Sequence, residues 1–388
     1  MEKLYYQSPY VREFEAVVLS CDKGKKAYEI KLDRTGFYPE GGGQPSDTGI
    51  LGSARVLEVR EKDGEIIHYT DLPLEPGISV KGAPNWSQRF SNMQNHSGEH
   101  IVSGLIHAKY GYDNVGFHMG REEVTIDLNG MLTWEQLAEI EREANEIVYQ
   151  NIPIRVFYPS SEELAGLDYR SKKELSGQVR IVEVPGADRC ACCGTHVEYT
   201  GEIGLIKMLS MMHYKGGVRI SMLCGMRAME DYAKKTDQTQ AISVLLSAKP
   251  EKITEAVERM KKENSEKDAQ LSVLMKELFH LKAERMDKQD GACLVFEDGL
   301  LPVQVRQFCN LLMEQEKGEI VGVCSGNETD GYSYCAGSRK TDMKAAGKRL
   351  NEALSGRGGG SSQMIQGTFK ASRKEIEEIW NEIFNRKA

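Results

Sequence analysis

No run of apolar residues in this 388-residue chain is long enough to cross a bilayer. The opening "MEKLYYQSPYVREF" has no apolar core of the kind a secretory signal carries. An overall positive charge is missing too. The formal charge is -8, so a polyanionic partner would have to meet a local basic patch. No segment repeats at a fixed period, and no G-K-[ST] follows the glycine runs, which excludes a nucleotide P-loop. The number of cysteines is odd, at 9, and three of them fall within "CACC" at 190–193. Without an export signal these read as metal ligands or reduced thiols rather than disulfides. Together these absences predict a cytoplasmic protein with no membrane partner.

What is present points to an α+β chain of several domains, since 388 residues exceed one ordinary core. Residues 1–86 alternate as short strands, in "AYEIKLD" and "ARVLEVREKDGEIIHYT", with a hairpin turn at Asp63-Gly64. The glycine-rich "TGFYPEGGGQPSDTG" at 35–49 reads as loop throughout. The period changes at Trp86. Asn85 and Gln88 form a loose capping box, and Phe90, Met93, Ile101, Leu105 and Ile106 share one side of a helix ending near Gly111. Thr133 and Gln136 cap a second helix with the stripe Leu137, Ile140, Ala144 and Ile147, stopped by Asn151 and Pro153. Strands in "EEVTIDL", "VRIVEV", "GLIKML" and "VRISMLC" complete an α+β domain over 87–238.

Residues 239–290 predict a helical linker. Ile253, Val257, Met260, Leu271, Leu274, Leu278 and Leu281 follow a heptad spacing, as in a coiled coil between chains or within one. Residues 291–388 alternate strands and helices as a small α/β domain. It contains a glycine loop, "GRGGGSS", and a last helix capped by Ser372 and Glu375.

Chemistry concentrates in two short motifs. In "NHSGEH", His96 and His100 lie one helical turn apart and project from one face, a two-point ligand for a metal. Two surface histidines would look the same. In "CCGTH", Cys192 and His196 are again four apart, with Gly194 allowing a tight loop. Thiolate plus imidazole is the donor set zinc prefers. The pairs together give His96, His100, Cys192 and His196 as ligands of Zn2+, with Cys193 as the alternative thiolate and Cys190 a more distant third. Four protein ligands normally close a zinc site, so whether the metal activates water or only organises a pocket is left open. Glu99 brings in a rival, because "HSGEH" also fits the H-x-x-E-H pattern of inverted zinc peptidases, where the glutamate is the base. Those enzymes take a carboxylate as third ligand, so the Cys-His pair argues against them. Glu99 otherwise reads as solvated helix face.

These motifs carry a resemblance that covers nearly the whole chain. "TGFYPEGGGQPSDTG", "NHSGEHIVSGL", "VGFHMG", "VTIDL", "NEIVYQNIPI", "RIVEVPGADRCACCGTHVEYTGEIGLIKM" and "GRGGGSSQMIQG" resemble the free-standing alanyl-tRNA editing proteins of the long AlaX type. They are also similar to the editing and C-terminal parts of alanyl-tRNA synthetase. Two departures stand out, "CCGTH" in place of "CGGTH" and Glu99 where the synthetase motif carries a small or polar residue.

The resemblance implies a zinc-dependent deacylase acting in trans on tRNA(Ala) mischarged with serine or glycine. It implies a small translation-factor-like β-barrel at 1–86 that helps to hold the acceptor end. The loop residues Gly41, Gly42, Gly43 and Gln44 would border the editing pocket. A zinc-bound water there can titrate near ~7. Thr35 becomes a candidate for the serine hydroxyl, because a site built to hydrogen-bond a hydroxyl penalises alanine. His118 in "GFHMG" stands where the synthetase has a glutamine near the amino acid, so it would line the pocket. The remaining histidines read as structural. The C-terminal domain would bind the tRNA elbow. Residues 337–357 supply Arg339, Lys340, Lys344, Lys348, Arg349 and Arg357 against Asp342 and Glu352, a patch that phosphates would explain. A homodimer through 250–285 or the C-terminal domain fits the heptads. A non-catalytic tRNA-binding protein with a structural zinc is the remaining alternative.

Overall fold

Buried and exposed residues alternate along Phe14–Lys23 (β1) and Ala54–Lys62 (β4), which makes them strands with one dry face. With Tyr28–Leu32 (β2), Gly49–Leu51 (β3), Glu65–Thr70 (β5) and Ser79–Pro84 (β6) they close a barrel in the order β1-β2-β5-β4-β3-β6. The computed structural model describes residues 1–120, 122–171 and 177–385. Its two compact units are Met1–Ile242 and Ser243–Ala388. Asp63 and Gly64, at φ 53 and 80, turn β4 into β5.

The glycine-rich stretch is not loop throughout. Arg34–Thr35 pairs in parallel with Glu2–Lys3, and Gly49 opens β3. Gly41 and Gln44 exchange backbone hydrogen bonds of 3.1 and 3.0 Å around Gly42 and Gly43, which sit at φ 60 and 83. Two successive positive φ values are what a tight type I′ turn demands.

Trp86–Tyr110 (α1) starts where the capping residues predict. The Asn85 side chain accepts from the Gln88 N–H, and Gly111 ends the helix at φ 70. The box is only half formed, because the Gln88 side chain contacts Thr48 and Ser46 instead. Arg89, one turn in, is wholly buried and donates to Asp47 and to the carbonyls of Pro9 and Gly36. This buried pair ties the glycine-rich stretch to α1. Breaking such a pair by removing one partner costs about 3–5 kcal/mol.

The rest of the first unit surrounds α1. Asn114–Met119 (β7), Val124–Leu128 (β8), Ile206–Tyr214 (β12) and Gly217–Cys224 (β13) form an antiparallel sheet ordered β12-β13-β8-β7. Arg155–Phe157 (β9), Ile181–Val184 (β10) and Asp188–Ala191 (β11) form a second. Trp134–Gln150 (α2) carries the expected reciprocal capping box of Thr133 and Gln136. It buries Leu137, Ile140, Ala144 and Val148, with Val148 deeper than the expected Ile147.

Ile253–Arg285 (α3) is one long helix in the second unit. Along its expected heptad seam Ile253 and Val257 are half-buried, and Met260, Leu271, Leu274, Leu278 and Leu281 are exposed. Phe279 and Ala283, off that seam, are buried, with Phe279 stacked 4.7 Å from Phe308 on Pro302–Glu314 (α4). The unit's sheet joins Ala292–Phe296 (β14), Ile320–Asn327 (β15), Gly331–Ser338 (β16), Arg357–Gly360 (β17) and Met364–Phe369 (β18) in the order β14-β15-β16-β18-β17. The first pair is parallel and the others antiparallel. Part of the expected glycine loop is therefore the edge strand β17. Met343–Ala353 (α5) and Arg373–Phe384 (α6) cover the sheet. Among the described residues no helix is long and apolar enough to cross a membrane.

Candidate metal centre

Helical spacing brings His96 and His100 together on α1, with ring centroids 5.4 Å apart. His196 closes on both, at 4.5 Å from His96 and 4.6 Å from His100. The Cys192 Sγ lies 3.5 Å from the Nε2 of His96 and 3.5 Å from that of His196. One ligand atom from each of the four residues fits within 4.8 Å of the others. The cluster forms although its halves lie 96 residues apart in sequence.

Two glycines make this approach sterically feasible. A Cβ on Gly194 would fall 2.0 Å from His96 Cε1, and one on Gly104 would fall 2.6 Å from the Asp188 Cβ. Gly194 thus lets the "CCGTH" loop press on the first histidine. Gly104 lets the turn before β11 reach α1.

Each histidine is oriented through its Nδ1. His96 Nδ1 donates to Gln44 Oε1 at 2.9 Å, and His100 Nδ1 donates to Asp188 Oδ2 at 2.8 Å. His196 Nδ1 lies 3.2 Å from Ser97 Oγ. With every Nδ1 engaged outward, every Nε2 is left to face the cluster, the arrangement that outer partners give metal-ligating histidines. The partners are themselves held. Gln44 also pairs with Thr195, its Nε2 2.8 Å from the Thr195 Oγ1, and Arg170 Nε donates to Asp188 Oδ1 at 2.7 Å.

The electrostatics suit a cation. Burial raises the Cys192 thiol, but the imidazoles of His96 and His100 outweigh it and draw the thiol well below its ordinary range. Burial drives His196 down to about 3, which keeps it neutral. Burial also opposes charge on His100, but the Cys192 sulfur and the Asp188 carboxylate hold its pKa well above normal. A metal at Nε2 would replace that proton. Three imidazoles, each with its Nδ1 engaged, and one thiolate are a donor set that fits zinc. Cys190, pushed up to about 11 by burial, and the exposed Cys193 stand outside this set of four.

The other expected site residues take different places. Glu99 is not solvated. It is buried, accepts from Ser103 Oγ at 2.7 Å and from Asn114, and stands outside the cluster of four. His118 does not line the cluster. It is exposed on β7, while its neighbour Phe117 stacks 5.2 Å from His96, because successive strand residues point to opposite faces. Thr35 is wholly buried against the barrel, where its hydroxyl is engaged by protein groups. Its Oγ1 lies 2.8 Å from His68 Nε2 and accepts from the Phe37 N–H at 3.0 Å. Gln44, expected against substrate, is buried behind His96 instead.

Gly41–Gln44 approaches β7, where the Met119 N–H donates to the Gly43 carbonyl at 3.0 Å. Arg339, Lys340, Lys348, Arg349 and Arg357 are all exposed in the second unit. Lys344, Lys348, Asn351 and the glycines of β17 line a groove of about 380 Å³ there. Asp188, Arg170 and Ser97 were missed in the sequence. The one signal for Asp188 was its position two before Cys190, on the same buried face of β11.

Residues 179–221 match the family model of the threonyl and alanyl tRNA synthetase second additional domain, a segment that holds Asp188, Cys192 and His196. The chain is 28% identical to the alanyl-tRNA editing protein AlaX-L of Pyrococcus horikoshii, over 98% of this chain and 97% of that one. It is similar from end to end to the long alanyl-tRNA editing proteins. Alanyl-tRNA editing protein Aarsd1-B of Xenopus laevis is also 28% identical, over 97% of this chain and 96% of its own. An alanine–tRNA ligase of Ignicoccus hospitalis is 29% identical across 97% of this chain, which spans 42% of the ligase.

Proposed function

We propose that this chain is an aminoacyl-tRNA deacylase that hydrolyses the ester of serine or glycine wrongly attached to tRNA(Ala). The observation that carries the reading is the convergence of three imidazoles and one thiolate, each Nδ1 tied outward by Gln44, Asp188 or Ser97. Near-complete coverage of free-standing editing proteins, against under half of a ligase, supports action in trans. His96, His100, Cys192 and His196 would hold zinc, which supplies Lewis acidity at the pocket when bound. Around it Gln44 and Asp188 orient imidazoles, and Phe117 packs an apolar wall against His96. Thr35 acts only through the barrel wall it braces with His68.

The peptidase reading lacks its base, since the Glu99 carboxylate is engaged by Ser103 and Asn114. The exposed lysines and arginines around α5 and β17 are the surface we assign to the tRNA backbone, and the exposed leucines of α3 the seam for a second copy.

The test is hydrolysis of serine-, glycine- and alanine-charged tRNA(Ala), with zinc content measured in parallel. His100→Ala and Cys192→Ala should lose the metal and the deacylation together. Full activity in a metal-free variant would refute the centre. Tight tRNA binding without turnover, in zinc-loaded protein, would favour a purely binding role.

A further inference from the structure

One buried cation beside the cluster is not explained by the metal. Arg180, 8% exposed, sends Nη1 to the carbonyls of Cys192 at 2.7 Å and Gly194 at 3.0 Å. Its guanidinium lies 5.3 Å from the centre of the Tyr6 ring. Its Nε is buried with no hydrogen-bond partner. Among the described residues no carboxylate pairs with this arginine, whereas its neighbour Arg170 has Asp188. An arginine stays charged at any pH a folded protein meets, so among the described residues this buried guanidinium has no counter-charge. The edge formed by Nε and Nη2 is the one that takes an oxyanion through two parallel hydrogen bonds. On this edge the Nε has no hydrogen-bond partner, while Nη1 is spent fixing the ligand loop.

We propose that Arg180 is the binding group for an oxyanion of the substrate, the phosphodiester on the 5′ side of the terminal nucleotide. This rests on the deacylase reading above. In a charged tRNA that phosphate is the one nearest the scissile ester, separated from it by a single ribose. A group clamped to both Cys192 and Gly194 is placed to hold that phosphate in register with the metal centre. A carboxylate, as on the released amino acid, has the same hydrogen-bonding chemistry and is the competing source.

The experiment pairs a change in the RNA with one in the protein. Acceptor minihelices charged with serine carry a neutral methylphosphonate at the last linkage or at the one before it. Zinc-loaded wild-type protein, Arg180→Lys and Arg180→Gln are assayed on each, and zinc content is measured to show that the ligand loop survives. Neutralising the last linkage should lower kcat/KM of the wild type by roughly ten- to a hundredfold, the value of a hydrogen-bonded charge pair. It should cost Arg180→Gln almost nothing, and the earlier linkage should show no such coupling. Equal losses in wild type and Arg180→Gln, or no loss in the wild type, would overturn the assignment. So would free serine inhibiting the wild type but not Arg180→Gln, which would hand the site to the amino acid. If unmodified substrate is not hydrolysed at all, the deacylase reading fails instead. Binding of the uncharged minihelices by fluorescence anisotropy then reads the same coupling.

Discussion

Asp188→Asn isolates the outer partner of one imidazole. The wild-type carboxylate accepts from His100 Nδ1 at 2.8 Å and from Arg170 Nε at 2.7 Å, one bond on each oxygen. Burial works against its charge, but His100 and Arg170 prevail and keep the carboxyl below its ordinary range. Asparagine has the same shape but one acceptor oxygen, so it can serve only one of the two donors and turns an N–H toward the other. If it serves Arg170, His100 loses the bond that directs Nε2 inward, and zinc affinity should fall about 10–100-fold. That corresponds to about 1.4–2.7 kcal/mol. If it serves His100, Arg170 loses its counter-charge, and the cost appears as lower stability rather than weaker zinc. A chromophoric chelator competing for zinc, read beside a thermal melt of the same sample, separates the two. Asp188→Asn that melts like the wild type, binds zinc equally well and deacylates normally would refute the role given to this carboxylate.

Gly194→Ala should release zinc, because its Cβ would lie 2.0 Å from His96 Cε1. Full metal content by elemental analysis would show that the loop yields. His68 is wholly buried, and burial lowers its pKa from 6.5 to about 4. The unfolded chain therefore takes up the proton first, and stability present above pH 6.5 should drain away as pH falls toward 4. The upper bound is about 3 kcal/mol. Urea melts at several pH values should show this slope and a smaller one in His68→Gln, and a flat wild-type profile would contradict it. Replacing Lys344 and Lys348 with alanine should weaken tRNA binding and flatten its dependence on salt by roughly one unit of slope per lost phosphate contact. Unchanged affinity and slope would make that groove irrelevant to RNA.

Much of the local architecture was legible before folding. The caps at Asn85, Thr133 and Ser372, the turn at Asp63-Gly64 and the two ligand pairs depend on spacing within a few residues. Backbone geometry imposes such periods wherever the segment ends up. Parity and partnership were decided elsewhere. Whether Phe117 or His118 faces His96 depends on how β7 sits against α1, and a shift of one residue reverses the answer. Glu99 shares α1 with both histidines, yet its direction is set by Asn114 on β7 and Ser103 on α1.

The heptads of α3 advertise a seam, but packing against α4 is made by Phe279 and Ala283. Thr35 and His68 find each other only because the barrel closes. Gln44, Ser97 and Asp188 matter through atoms they meet from distant segments, such as the 88 residues separating Asp188 from His100. Short-range geometry could nominate the three imidazoles and one thiol of the candidate centre. Only the packed tertiary structure could aim their nitrogens, because the hydrogen bonds that do so join parts of the chain with no local reason to meet.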